Sequence, residues 1–240
     1  MSHRRFFVPE VRRGVAELTG SDAEHLVRVL RAEVGHVYEI SDNRDVYLAE
    51  VTTARKSVVT FQVTEKLPAT PPAAHIALCA ALIKFDRFEW LLEKATELGV
   101  AAIQPFEAAR SERGLAQAAL KRITRWERIG IEASQQSRRA HLPLIAKASR
   151  FPDAVRIEAN VRLLLDESEQ APPLLNVIPD QRGPEDKIAL LLGPEGGWTA
   201  EERNQAIDVG WTPCSLGETV LRAETAGIAG LAIVQAAWAT

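Results

Sequence analysis

The residues suited to ligand chemistry sit in two glycine-bearing turns, each following an apolar, strand-like run of the 240-residue sequence. The first turn reads Leu192-Gly193-Pro194-Glu195-Gly196-Gly197-Trp198-Thr199. Three glycines around a Pro-Glu pair let the backbone adopt unusual dihedral angles and approach a ligand closely. Thr199 with Glu202 has the spacing of a capping box, so the turn leads from a strand end into a helix start, where open α/β sheets bind ligands. No Lys-Ser/Thr pair follows the glycines and no GxGxxG spacing occurs, which excludes a phosphate P-loop and a dinucleotide fingerprint. The second turn, Leu216-Gly217-Glu218-Thr219-Val220-Leu221-Arg222, opens an apolar helix over about 224–239. Glu224 is explained by the preference of helix N-termini for acids. Arg222 is not: a cation entering a buried helix needs an anionic or carbonyl partner, and it is the first candidate for stabilising charge on a ligand. Glu195 is the second, for orientation or proton removal, although a loop carboxylate could equally cap the next helix. His3, His25, His36, His75 and His141 are scattered, and no Ser-His-carboxylate arrangement or metal-ligand cluster is visible.

The elements that must position these turns divide at Leu67-Pro68-Ala69-Thr70-Pro71-Pro72, a proline-stiffened linker. Residues 1–67 form the expected first domain, 68–73 the linker and 74–240 the second domain. Before the linker, Phe6-Phe7-Val8, Val15–Leu18, Val37–Ile40, Val46–Val51 and Ser57–Val63 are short β-branched or aromatic runs. One helix interrupts them, with Ser21 and Glu24 as a capping box and Leu26, Val29 and Leu30 as its apolar face. This pattern predicts a small barrel. Beyond the linker, His75–Ile83, Val100–Phe106, Val161–Leu165, Ile188–Leu192 and Trp211–Leu216 predict strands that alternate with helices. The helices are predicted over Lys84–Leu98, ended by Gly99, over Leu115–Gln136 as one long basic amphipathic segment, and over Glu224–Ala239. Strands apolar throughout and spaced by helices predict a parallel sheet covered on both faces. The last helix is apolar almost all round, which places it in the domain core or in a subunit interface.

Composition narrows the classes. A hydrophobic share of 46% and a charged share of 25% are ordinary for a globular protein. No apolar run reaches membrane-span length, the basic start lacks a signal-peptide core, and the two cysteines, Cys79 and Cys214, read as reduced core thiols, so a cytoplasmic location is expected. The net charge of −3 argues against a general polycation. Charge is uneven, however: Arg4, Arg5, Arg12 and Arg13 face Glu10 alone near the start, and a second basic stretch runs from Arg110 to Arg139. Local basic patches on an acidic chain fit RNA contact at chosen places.

GPEGGWT and LGETVLRAETA together resemble the paired C-terminal motifs of the RsmE family, within the SPOUT class of methyltransferases. HLVRVLRAEVG from His25, KFDRFEWLLEKATELG from Lys84 and EASQQSRRAHLP from Glu132 extend the resemblance along the chain. Departures are Trp198 for a usual Phe, Glu218-Thr219-Val220 for an Arg-Ile-like pair, and Asp42-Asn43-Arg44-Asp45 for a glycine-containing turn. The resemblance implies an α/β protein with an N-terminal PUA-like RNA-binding barrel and a C-terminal SPOUT domain with a trefoil knot. It implies S-adenosylmethionine-dependent methylation of uridine N3 in 16S rRNA of the small ribosomal subunit, by a homodimer. The implied cofactor pocket comprises Leu165, Leu192, Gly193, Pro194, Glu195, Gly196, Gly197, Leu216, Gly217, Val220, Leu221 and Arg222. RNA binding then falls to Arg4, Arg5, Arg28, Arg31, Arg110, Arg138 and Arg139. Two competing readings are a noncatalytic RNA-binding protein, disfavoured by the intact motifs, and a ribose methyltransferase, disfavoured because His75–Lys94 holds no Asn-x-Gly…Arg element.

Overall fold

The computed structural model describes residues 5–68 and 71–239. The chain divides into two compact units, Met1–Thr70 with Ser134–Leu142, and Pro71–Ala133 with Pro143–Thr240.

The first unit contains β1 (Arg5–Phe7), β2 (Val11–Arg12), β3 (Val15–Thr19), α1 (Gly20–Arg28), β4 (Val37–Ser41), β5 (Val46–Arg55) and β6 (Val58–Leu67). The strands form one sheet in the order β1-β4-β5-β6-β3-β2, antiparallel except for the β1–β4 pair. Among the described residues no ladder joins β2 back to β1. One core gathers Phe6, Leu18, Ile40, Val51, Val59 and Phe61 with Ala23 and Leu26 of α1. The helix differs from its sequence reading at both ends. Thr19 occupies the N-cap without a side-chain cap bond, and α1 stops at Arg28, which leaves Val29 64% exposed rather than on an apolar face. The turn at 42–45 shows how the chain dispenses with glycine: Asn43 takes φ +65, and Asp42 Oδ1 accepts the N–H groups of Arg44 and Asp45. The segment 134–142, read from the sequence as part of the second domain, clusters here. Ser41 Oγ donates to the Ala140 carbonyl at 2.7 Å, and Leu142 N–H donates to Asn43 Oδ1 at 2.7 Å.

The second unit contains β7 (His75–Ala81), α2 (Phe85–Glu97), β8 (Ala102–Glu107), α3 (Leu115–Ala119), α4 (Ile123–Gln136), β9 (Leu144–Ile145), β10 (Ser149–Arg150), α5 (Phe151–Ala154), β11 (Val161–Leu165), α6 (Leu174–Val177), β12 (Lys187–Leu192), α7 (Ala200–Asp208), β13 (Thr212–Cys214) and α8 (Ala223–Trp238). Its sheet is parallel throughout, in the order β10-β8-β7-β12-β11-β13, with β9 beside β8. Both faces are covered. Ile188, Leu190 and Leu192 enter one core with Leu78, Leu163 and α8, whereas Ala189 and Leu191 enter the other with Cys79, Leu164 and Trp211. That alternation is the period-two geometry of a strand, and it lets a run apolar throughout bury every side chain.

α2 ends as its Gly99 requires. Gly99, at φ +89, donates to Thr96, and Val100 N–H reaches back to the Ala95 carbonyl, a Schellman arrangement. The single long helix expected over 115–136 is instead broken between α3 and α4, where Lys121 and Arg122 donate three residues back. No glycine or proline marks that break. Contacts beyond it decide the path: Trp126 is fully buried with its ring 4.8 Å from that of Phe88, and Arg122 and Arg125 both bond the buried Glu89. Cys79 and Cys214 are buried free thiols, and burial pushes each up to about 12. Native protein is therefore expected to resist thiol-specific reagents at pH 8 and to react with both only after denaturation. Rapid titration of a thiol in the folded state would contradict this burial.

Candidate active site

Because β11 lies between β12 and β13, the carboxyl ends of three neighbouring parallel strands converge, and their following turns surround one cavity of about 540 Å³. Leu165 closes β11, Leu192 closes β12 with Gly193 to Trp198 after it, and Leu216, Gly217 and Thr219 to Arg222 follow β13. Every residue assigned to the pocket from the sequence lines this one cavity. The volume suits a ligand of nucleoside size, and position at strand carboxyl ends is where α/β sheets bind such ligands.

The first turn is built by close packing. Trp198 is buried and donates its indole N–H to the Leu165 carbonyl at 2.8 Å, joining the turn to the end of β11. A phenylalanine at this position could not make that bond. The Trp198 ring stacks on Phe106 and touches Phe151. A Cβ on Gly193 would come within 2.9 Å of the Trp198 ring, so glycine there is a packing requirement. Gly197 has φ +69, and Glu167 Oε1 occupies the space a side chain would need. The turn then enters α7 through a complete capping box: Thr199 accepts from Glu202 N–H, and Glu202 accepts from Thr199 N–H. Glu202 also accepts from Ala109 N–H at 2.7 Å. Thr199→Ala is expected to cost about 1 kcal/mol of unfolding free energy, measurable by urea denaturation. An unchanged midpoint would remove the cap from the stability of the turn.

The charged groups take distinct positions. Arg222 is the N-cap of α8 and is exposed; among the described residues no hydrogen bond or ion pair engages its side chain, so a cation stands uncommitted at the cavity wall. Glu195 pairs with Arg87 of α2 and does not cap α7. Arg110, assigned to RNA from the sequence, is exposed and donates to the carbonyls of Gly196 and Trp198 at 2.9 and 3.2 Å, which braces the glycine turn. Asp166, directly after β11, is buried and held by two bonds from Arg203, at 2.5 and 2.9 Å. That hydrogen bonding raises the Arg203 pKa further.

The sequence reading missed Arg87, Asp166, Glu167 and Thr219, all of which line the cavity. Asp166 and Glu167 carried a signal, since two carboxylates directly follow an apolar strand. Arg87 carried none, because its helix shows only an apolar face. Of the other arginines assigned to RNA, Arg4 lies outside the described residues. In the first unit, Arg5 is engaged by Glu39 and by the Arg138 carbonyl, and Arg28 stands 4.0 Å from Glu24. Arg31 and Arg138 are exposed, at φ +52 and +56. Arg139 is half-buried, donates Nε–H to the His141 carbonyl at 3.1 Å, and is lowered to about 10 by burial.

Comparison with known proteins gives a consistent picture. The RNA methyltransferase domain family matches residues 70–235. Ribosomal RNA small subunit methyltransferase E of Synechocystis sp. is 33% identical, over 98% of this chain and 78% of its own length. The protein of the same name from Mesomycoplasma hyopneumoniae is 31% identical, over 93% and 95%. The crystal structure of a ribosomal RNA small subunit methyltransferase E from Neisseria gonorrhoeae bound to S-adenosyl methionine is 29% identical, with a TM-score of 0.87 covering 99% of this chain and 98% of that one.

Proposed function

The chain belongs to the ribosomal RNA small subunit methyltransferase E (RsmE) family, and we propose from that premise that it methylates N3 of a uridine in 16S rRNA with S-adenosylmethionine. The observation that carries this reading is the convergence of the three turns on one cavity whose wall holds Arg222, unpaired among the described residues. The residues fit the donor. Leu165, Leu192, Leu216, Leu221 and Ala226 offer an apolar wall for adenine, and the glycine turns leave main-chain N–H and C=O edges for polar contacts.

When bound, the cofactor supplies a methyl group on a positively charged sulfur. What remains for the protein is alignment and charge. The nucleophile is the uridine N3 anion, whose proton passes to solvent before water is excluded, and Arg222 is suited to stabilise the negative charge on the base. Glu195, held by Arg87, orients the turn. The apolar wall excludes water and so strengthens each charge interaction inside.

The finer architecture follows the same reading. A PUA-like barrel over 1–67 is supported by the way β1, β3, β4, β5 and β6 all contribute to one core. A SPOUT domain with a trefoil knot over 74–240, after a linker at 68–73, is supported by the parallel order in which β11 lies between β12 and β13. A homodimer is supported by α8, which buries Gly227, Gly230, Leu231 and Val234 while Ala232 and Ala236 remain exposed, and by Trp90, which is 46% exposed. A ribosomal substrate and buried reduced cysteines support action in the cytoplasm.

The decisive experiment incubates the protein with labelled S-adenosylmethionine and small ribosomal subunits lacking the modification. Nucleoside mass spectrometry is expected to find 3-methyluridine; label in a ribose hydroxyl or in no nucleoside would refute the assignment. RNA contact by Arg138 has its own test. Arg138→Gln keeps the backbone demand at φ +56 unchanged while removing the charge. It is expected to weaken rRNA binding and to lower the slope of log K against log salt by about 1. An unaltered slope would exclude a phosphate contact there.

A further inference from the structure

Arg87 lines the cavity and pairs there with two carboxylates, Glu195 and Glu224. It stands in the first turn of α2 and hydrogen-bonds Glu195 at the centre of the glycine turn. Its Nε also lies 3.9 Å from Oε1 of Glu224, in the first turn of α8. The Glu224 side chain is only 6% exposed, and among the described residues its buried Oε2 has no hydrogen-bond partner. A buried carboxylate oxygen lacking a donor is unfavourable unless a cation compensates it, and Arg87 is the cation at hand. Arg87 therefore reaches the turn after β12 and the helix start that follows the turn after β13, through one planar guanidinium with donors enough for two acids.

We propose that Arg87 is a positioning residue of the methyl-transfer site, tying the Gly193–Gly197 turn, through Glu195, to the start of α8, through Glu224. This rests on the reading of the cavity as the S-adenosylmethionine site. The consequence is geometric. Arg222 immediately precedes α8, so the tie fixes the distance between the glycine turn and the cation that faces the base. Without it, the glycine turn and the start of α8 lose their common anchor, although the glycine turn has other supports. Thr199 and Glu202 cap α7 independently, and Trp198 holds the turn to β11.

The test uses full-length protein and calorimetry with S-adenosylmethionine, followed by methyl transfer to small subunits. Arg87→Gln is expected to weaken cofactor affinity about tenfold and to raise KM for the cofactor by the same factor, with the far-UV spectrum unchanged. Arg87→Lys, which keeps the charge but not the fork, recovers part of the loss. Glu195→Gln, at an exposed position, produces a loss of its own and carries the test even if Arg87→Gln does not fold. The double variant binds no more weakly than Arg87→Gln alone, because both changes cut one tie. Wild-type affinity in Arg87→Gln, or losses that multiply in the double variant, would overturn the proposal. Absence of cofactor binding by the unaltered protein overturns the functional reading itself, which is a separate outcome.

Discussion

Replacing Arg222 by alanine is expected to slow methyl transfer about 10²–10³-fold, the usual consequence of removing a donor aimed at charge that develops along the reaction. Stability should change by no more than about 0.5 kcal/mol, since the side chain is exposed and makes no cap bond. The two effects separate cleanly in a single-turnover assay paired with urea denaturation. Arg222→Lys should recover part of the rate, because a point charge survives although the planar fork does not. A rate for Arg222→Ala within about threefold of the parent would remove the residue from the reaction. A large loss of stability would instead show that Arg222 serves the helix it precedes.

Arg203→Ala is expected to have the largest effect on stability, about 3 kcal/mol, and to weaken cofactor binding as well. Asp166 has a side chain only 1% exposed, and its two bonds to Arg203 are its charge compensation; Ser168 N–H adds a neutral one. Removing the arginine leaves a buried carboxylate without a counter-ion, the costly half of any buried pair. Asp166 and its neighbour Leu165 both line the cavity, so the disturbance reaches the wall where β11 ends. Asp166→Asn in the same chain should recover part of the lost stability, because no buried charge is then stranded. If the double variant is as unstable as Arg203→Ala alone, the loss comes from Arg203 packing and not from the stranded buried charge of Asp166.

The strands of the second unit were legible because β-branched and leucine runs of strand length, bounded by turn residues, admit few other structures: Val161–Leu165 appears with the predicted bounds. The capping box at Thr199 and the terminating Gly99 were equally legible, since each is a local contract between residues at most a few positions apart. α1 and the helix over 115–136 were misread for a shared reason. Ser21 and Glu24 had the spacing of a cap, and 115–136 had helical periodicity, but α1 starts at Gly20, whose N–H donates to the Ser57 carbonyl, and the second segment is broken between α3 and α4. Side-chain partners were read least well. Arg110 looked like part of a basic patch and also braces the glycine turn, while Arg122 and Arg125 are consumed by Glu89.

By itself the sequence determined the main strands of the second unit, the cap of α7, the end of α2, and which two turns would line the cavity. These depend on dihedral preference, periodicity and capping, all of which act over a few residues. Only the tertiary structure decided that the turns after β11, β12 and β13 share one cavity, that Glu195 is claimed by Arg87, and that Arg222 lines that cavity with an exposed side chain. Those outcomes depend on strand order and on pairings across about a hundred positions of chain, such as Arg87 with Glu195, for which no local preference exists.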